Sequence, residues 1–107
     1  MAAGGLVLAA GAGTRFGASP KQLADLHGRP LLEWAVSAQC AVAELSRVVV
    51  VLGSYAAEVR AGVSFGCAEA VVCADWEAGQ ASSLRCGVSA LGAGEGISKV
   101  IVTLGDA

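Results

Sequence analysis

Apolar residues in this chain come in short blocks separated by glycine-rich or polar breaks. Leu6 to Ala10 is one such block, and it runs into Gly11-Ala12-Gly13. The pattern predicts a buried strand that feeds a loop extending to about Arg29. Leu31, Leu32, Ala35 and Val36 recur at helical spacing behind Pro30, so a helix is expected with Pro30 at its first position. Trp34 is expected in the core or at its edge. Arg47 to Leu52 is valine-rich and apolar on both faces, as a central parallel strand should be. Ser54 and Gly62 bracket a short helix as N-cap and C-terminal stop. Ala70 to Cys73 predicts a third strand, and Ser82 or Ser83 the cap of a helix ending near Gly92. Lys99 to Leu104 predicts a fourth strand, with Gly105-Asp106 at its carboxyl end.

That order, βαβαβαβ, predicts an α/β fold with a doubly wound, mostly parallel sheet and right-handed crossovers. Ligands of such sheets bind outside the carboxyl ends of the strands. The loop at Gly11, the helix start at Ser82 to Arg85, and Asp106 would all lie along that edge. No internal repeat or low-complexity linker interrupts the pattern.

The 107 residues suit one domain with a modest core. Hydrophobic residues make up 55% and charged residues 15%, which excludes a disordered composition. Mean hydropathy is positive, yet no apolar run approaches the ~18 residues that span a bilayer. The amino terminus lacks the basic and long apolar regions of a signal peptide, and a cytoplasmic location is expected. A net charge of −2 argues against a nucleic-acid surface. The four cysteines, Cys40, Cys67, Cys73 and Cys86, form no C-x-x-C pair, and His27 is the single histidine. A zinc site has little support, so the thiols are expected free and at least half-buried in a reducing compartment.

The candidate chemistry lies in Leu6 to Lys21. Glycines let the backbone approach a ligand closely, and successive N–H groups in such a loop form an anion-binding concavity. Arg15 and Lys21 can add charge-assisted bonds to phosphate oxygens. No glycine directly precedes a lysine, so this is not a Walker loop. Gly11, Gly13 and Gly17 are spaced one residue too long for the G-x-G-x-x-G dinucleotide fingerprint. The second apolar run ends in Gly53-Ser54, without the carboxylate that would hold a ribose. A triphosphate therefore fits better than a nicotinamide dinucleotide.

Leu8 to Gly17 with Lys21 resembles the signature loop of Rossmann-like nucleotidyltransferases. Gly28-Arg29-Pro30-Leu31-Leu32, the stretch Trp76 to Arg85 (W-x-x-G-x-x-S-S-L-R) and Gly105-Asp106 continue the resemblance. It is strongest to the molybdenum cofactor cytidylyltransferases among the MobA-like NTP transferases, a group with a nucleotide-diphospho-sugar-transferase-like fold. The resemblance implies transfer of CMP from CTP to molybdopterin, with release of pyrophosphate and Mg²⁺ as cofactor. It implies a nucleotide site at Ala9, Ala10, Gly11, Ala12, Gly13, Thr14, Arg15, Lys21, Ser82, Ser83 and Arg85. Arg15 and Lys21 are then the catalytic cations and Asp106 the metal ligand. Ala10 follows the L-A-A-G pattern of pyrimidine users, whereas GTP users tend to show L-A-G-G. The resemblance also implies that residues 1–107 are the nucleotide-binding half of one domain, ending after the fourth strand where the family continues. An oligomer would shield that last strand. Three alternatives stay open: another acceptor such as a sugar or alcohol phosphate, a non-catalytic nucleotide-binding fragment, and an NAD(P)-dependent oxidoreductase.

Overall fold

The computed structural model describes residues 2–9, 15–16, 19–20, 25–26, 28–53, 56–73, 80–92 and 97–104. Strand β1 (Ala2–Ala9) is central. Two short antiparallel ladders follow it: β2 (Arg15–Phe16) with β3 (Ser19–Pro20), and β4 (Asp25–Leu26) with β5 (Arg29–Pro30). Then come helix α1 (Leu31–Cys40), β6 (Leu45–Leu52), α2 (Ala56–Gly62), β7 (Glu69–Val72), α3 (Gln80–Leu91) and β8 (Ile97–Leu104). The four longer strands form one parallel sheet in the order β7-β6-β1-β8.

The strict alternation of side chains along a strand puts the core on both faces of the sheet. Val7, Ala9, Val50 and Leu52 cluster with Leu32 and Val36 of α1 and with Val59 of α2. Leu6, Leu8, Val49 and Val51 cluster on the opposite face with Leu91 of α3. The expected doubly wound α/β architecture is what this arrangement is. β1 and β6 read as continuous apolar runs because each has a helix layer on both sides.

Several boundaries differ from the hydrophobic pattern, each for a physical reason. β1 begins at Ala2 rather than Leu6. Gly4 pairs with both Arg47 and Val100, so backbone bonding to two neighbours extends the strand where no large side chain marks it. Pro30 is the N-cap rather than the first helical residue, with φ −58° and ψ 144°. α3 starts at Gln80, so Ser82 and Ser83 lie in its first turn and do not cap it. The stretch expected as loop to Arg29 contains the two short ladders. Gly28 turns the second of them with φ +83° and open space around its Cα. The residue is needed there for its conformation and not for room.

Trp34 is also placed differently. It is 38% exposed on α1, and the Arg29 guanidinium lies 4.7 Å from its ring centroid. Arg29 Nε also donates to Glu33 Oε1 at 3.3 Å and Nη2 to Ser37 Oγ at 2.6 Å. The tryptophan falls outside the buried stripe of Leu32, Val36 and Gln39, and a cation covers its face instead.

The cysteines divide. Cys73 and Cys86 are in no disulfide, as expected. Cys40 and Cys67 are not: they form a disulfide with Cα atoms 5.9 Å apart. The bond joins the last residue of α1 to the turn before β7. Sequence spacing could not show this, because the pair meets only once α1 and the β7 turn pack at the amino edge of the sheet.

At that same edge Arg47 Nη2 donates to Glu69 Oε1 at 2.8 Å, and Nη1 donates to the Leu91 carbonyl at 3.1 Å. The ion pair is exposed and contributes little by itself. The second bond satisfies a carbonyl at the C-terminal end of α3.

Candidate functional site

The strand order places a topological switch point between β1 and β8. From β1 the chain moves outward through β6 to β7, and the next crossover returns it to the other side of β1. Adjacent crossovers leave the sheet in opposite directions at this point, which opens a crevice at its carboxyl edge. Leu8 pairs with Leu104 and Ala9 with Leu52. The chain therefore leaves β1 and β8 side by side. The next residues in sequence are Ala10, Gly11, Ala12, Gly13 and Thr14 after β1, and Gly105-Asp106 after β8. These residues, with Lys21, lie outside the described residues.

Of the two expected catalytic cations, Arg15 lies among the described residues, on the β2–β3 ladder. Arg15 pairs with Pro20, so the backbone doubles back and position 21 follows the residue directly opposite Arg15.

α3 contributes its first turn. Cys73 N donates to Leu52 O at 2.7 Å, which keeps the chain on β6 just past β7. Its thiol lies 3.9 Å from the Ser82 carbonyl, tying the start of α3 to that edge. Ser83 is buried at 4% exposure, while Arg85 is exposed and donates to Ser82 Oγ at 3.2 Å. Ala9 is 3% exposed within the cluster that contains Leu32 and Leu52, so its methyl group belongs to the core.

The helix can approach this closely because of Gly87. A Cβ there would collide with Leu6 Cδ1 and stand 2.8 Å from Val51 Cγ2. α3 consequently lies flat on β1 and β6, with its first turn at the carboxyl edge and Leu91 at the opposite edge.

Among the described residues, no group of three His, Cys, Asp or Glu side chains comes together to hold a metal ion. No described helix is long and apolar enough to cross a membrane. Gln39 was not singled out in the sequence, although it is 4% exposed and bonded to two strands. The available signal was a carboxamide three residues after Val36 and seven after Leu32, in the middle of an apolar stripe.

A parallel sheet with this switch point and a helix start at the same edge together define a class of open, doubly wound α/β domain whose ligand crevice lies at the carboxyl edge. Residues 5–107 match the MobA-like NTP transferase domain, and the chain belongs to that family. It is 41% identical over 86 residues to the nicotine blue oxidoreductase of Paenarthrobacter nicotinovorans, covering 80% of this chain and 42% of that protein. It is 37% identical over 106 residues to a 2-C-methyl-D-erythritol 4-phosphate cytidylyltransferase of Cereibacter sphaeroides, covering 95% and 45%. Among solved structures it matches a nucleotidyl transferase of Methanothermobacter thermautotrophicus with TM-score 0.81 and 28% identity, covering 98% and 50%. It also matches the Rv0371c protein of Mycobacterium tuberculosis in a manganese complex, with TM-score 0.72 and 28% identity, covering 99% and 51%. The chain spans about half or less of the length of each of these relatives.

Proposed function

We propose that the protein is a nucleotidyltransferase that moves CMP from CTP to a phosphate-bearing acceptor. Molybdopterin is the acceptor favoured by the Trp76 to Arg85 stretch. In the reaction, an acceptor phosphate oxygen attacks the α-phosphorus of CTP. The bond from that phosphorus to the bridging oxygen breaks, and its electron pair leaves with pyrophosphate. Arg15 and Lys21 hold the triphosphate and offset the charge that builds on it. Backbone N–H groups of Gly11 to Thr14 cradle phosphate oxygens. Ala10 lies beside the base, with Ser82, Ser83 and Arg85 towards base and ribose.

Mg²⁺, the proposed cofactor, supplies charge neutralisation when bound, with Asp106 as its ligand. The described residues offer no metal cluster, so no step of this reading runs through the ion. A cytoplasmic location belongs to the same reading. The Cys40–Cys67 bond pulls the other way, since disulfides are rare in reducing compartments.

The observation that carries the reading is the register that lets the chain leave Ala9 and Leu104 side by side at the switch point. The test is thermal shift with CTP, GTP, UTP and NADPH, each with and without Mg²⁺. Pyrophosphate release is then measured with molybdopterin, a sugar phosphate and 2-C-methyl-D-erythritol 4-phosphate as acceptors. CTP should stabilise the protein most, and molybdopterin should release pyrophosphate fastest.

One observation favours a second reading. A relative 41% identical over 80% of the chain is named an oxidoreductase. Stabilisation by NADPH, with none by any triphosphate, would replace the transferase reading with that one. Binding of CTP without turnover at 107 residues would make the chain a nucleotide-binding half.

A further inference from the structure

Gln39 is a polar residue inside the apolar face of α1, and its bonds fall on two different strands. Its Nε2, with two hydrogens to share, lies in donating range of the Leu6 carbonyl on β1 at 3.2 Å, the Ile101 carbonyl on β8 at 3.2 Å and Thr103 Oγ1 at 2.9 Å. Its Oε1 is buried without a hydrogen-bond partner, which is a cost. Whatever this side chain contributes therefore comes from its nitrogen. The chain makes room for it at Gly5, where a Cβ would collide with Oε1 and stand 2.9 Å from Leu45 Cδ1.

Among the described residues β8 pairs with β1 alone. Ile101 and Val102 point to opposite faces and are 47% and 46% exposed, so little apolar burial by the described residues holds this half of the strand. Thr103 lies three residues before Asp106, and Leu6 lies four before Ala10.

We infer that Gln39 is a positioning residue for the nucleotide edge. Its carboxamide sets how the carboxyl half of β8 lies against β1, and with it the spacing of the two strand ends at Ala9 and Leu104. The inference rests on the reading of the switch point as a nucleotide site.

The test uses the 107-residue chain and any longer form its reading frame supports. Gln39→Met removes the donors at nearly constant length, and Thr103→Val removes one acceptor at constant shape. Val59→Ala is the control, because it loosens the α2 cluster without touching β8. Two quantities are read: amide hydrogen exchange at residues 97–104 against 45–52, and CTP affinity below the melting transition. Gln39→Met should speed exchange in 97–104 selectively. It should also weaken CTP binding about 10-fold or more, the scale seen when a partner behind a ligand-holding group is lost. Thr103→Val should act in the same direction with a smaller effect, and Val59→Ala should leave CTP affinity at the parental value.

Parental CTP affinity in both Gln39→Met and Thr103→Val overturns the inference, as does an equal loss in Val59→Ala. If Gln39→Met does not fold, Thr103→Val decides alone. Failure of the nucleotide reading is visible separately: the parent itself then binds no triphosphate, and the inference falls with it.

Discussion

Replacing Gly87 by alanine tests how closely α3 is seated on the sheet. In an exposed helix interior this change is stabilising by ~1 kcal/mol, because glycine loses more backbone entropy than alanine. Here the added Cβ meets Leu6 Cδ1 and Val51 Cγ2, with Leu6 Cδ2 at 3.0 Å. Leu6 and Val51 are both fully buried, and valine is stiff about χ1, so neither can swing into open space. Overpacking of this kind costs ~1–3 kcal/mol. Set against the propensity gain, the expected net loss runs up to about 2 kcal/mol. With a urea m-value of ~2 kcal/mol/M, the unfolding midpoint should fall by up to roughly 1 M. Ser89→Ala, at an exposed position on the same helix, is the control and should hold or slightly raise the midpoint. Urea titrations followed by circular dichroism give both values. A Gly87→Ala midpoint above the parent would refute the close approach of α3, and with it the placement of the Ser82–Arg85 turn at the carboxyl edge.

Reducing the Cys40–Cys67 bond, which closes a sequence separation of 27 residues, should cost about 3.5 kcal/mol by loop-closure entropy; denaturation with and without reductant measures it, and identical midpoints would mean that the bond does not form. Arg15→Ala and Lys21→Ala should each lower CMP transfer by at least ~100-fold in the form of the protein that turns over CTP, and near-normal pyrophosphate release in both would remove the phosphate assignment. Ala10→Gly should relax the preference for CTP towards GTP in competition binding, and a parent that already prefers GTP would reverse the base assignment. Asp106→Asn should abolish Mg²⁺-dependent transfer while leaving the circular dichroism spectrum and melting temperature unchanged; full activity would free that carboxylate of its proposed role.

Much of the fold was legible because strand and helix leave different periods in a sequence. The run Arg47 to Leu52 could only be a strand buried on both faces, and Leu32 and Val36 mark a helical stripe whatever they pack against. The alternation of elements then forces a parallel sheet, since parallel neighbours need crossovers. The glycines and cations of Leu6 to Lys21 raise the expectation of an anion-binding loop by residue type alone. Other features exist only when distant parts meet. That β1 lies between β6 and β8, creating a switch point beside Ala9 and Leu104, depends on which strands pair, and no local pattern encodes that choice. Cys40 reaches Cys67 only after α1 and the β7 turn are packed. Gln39 reads as one polar residue in an apolar stripe until Leu6, Ile101 and Thr103 arrive around its amide. Gly5 and Gly87 read as weak points in a strand and a helix, because the side chains that need their space come from other elements. Local propensity is a property of a segment; the value of a missing side chain or a buried amide is a property of its neighbours, and those are set by the tertiary fold.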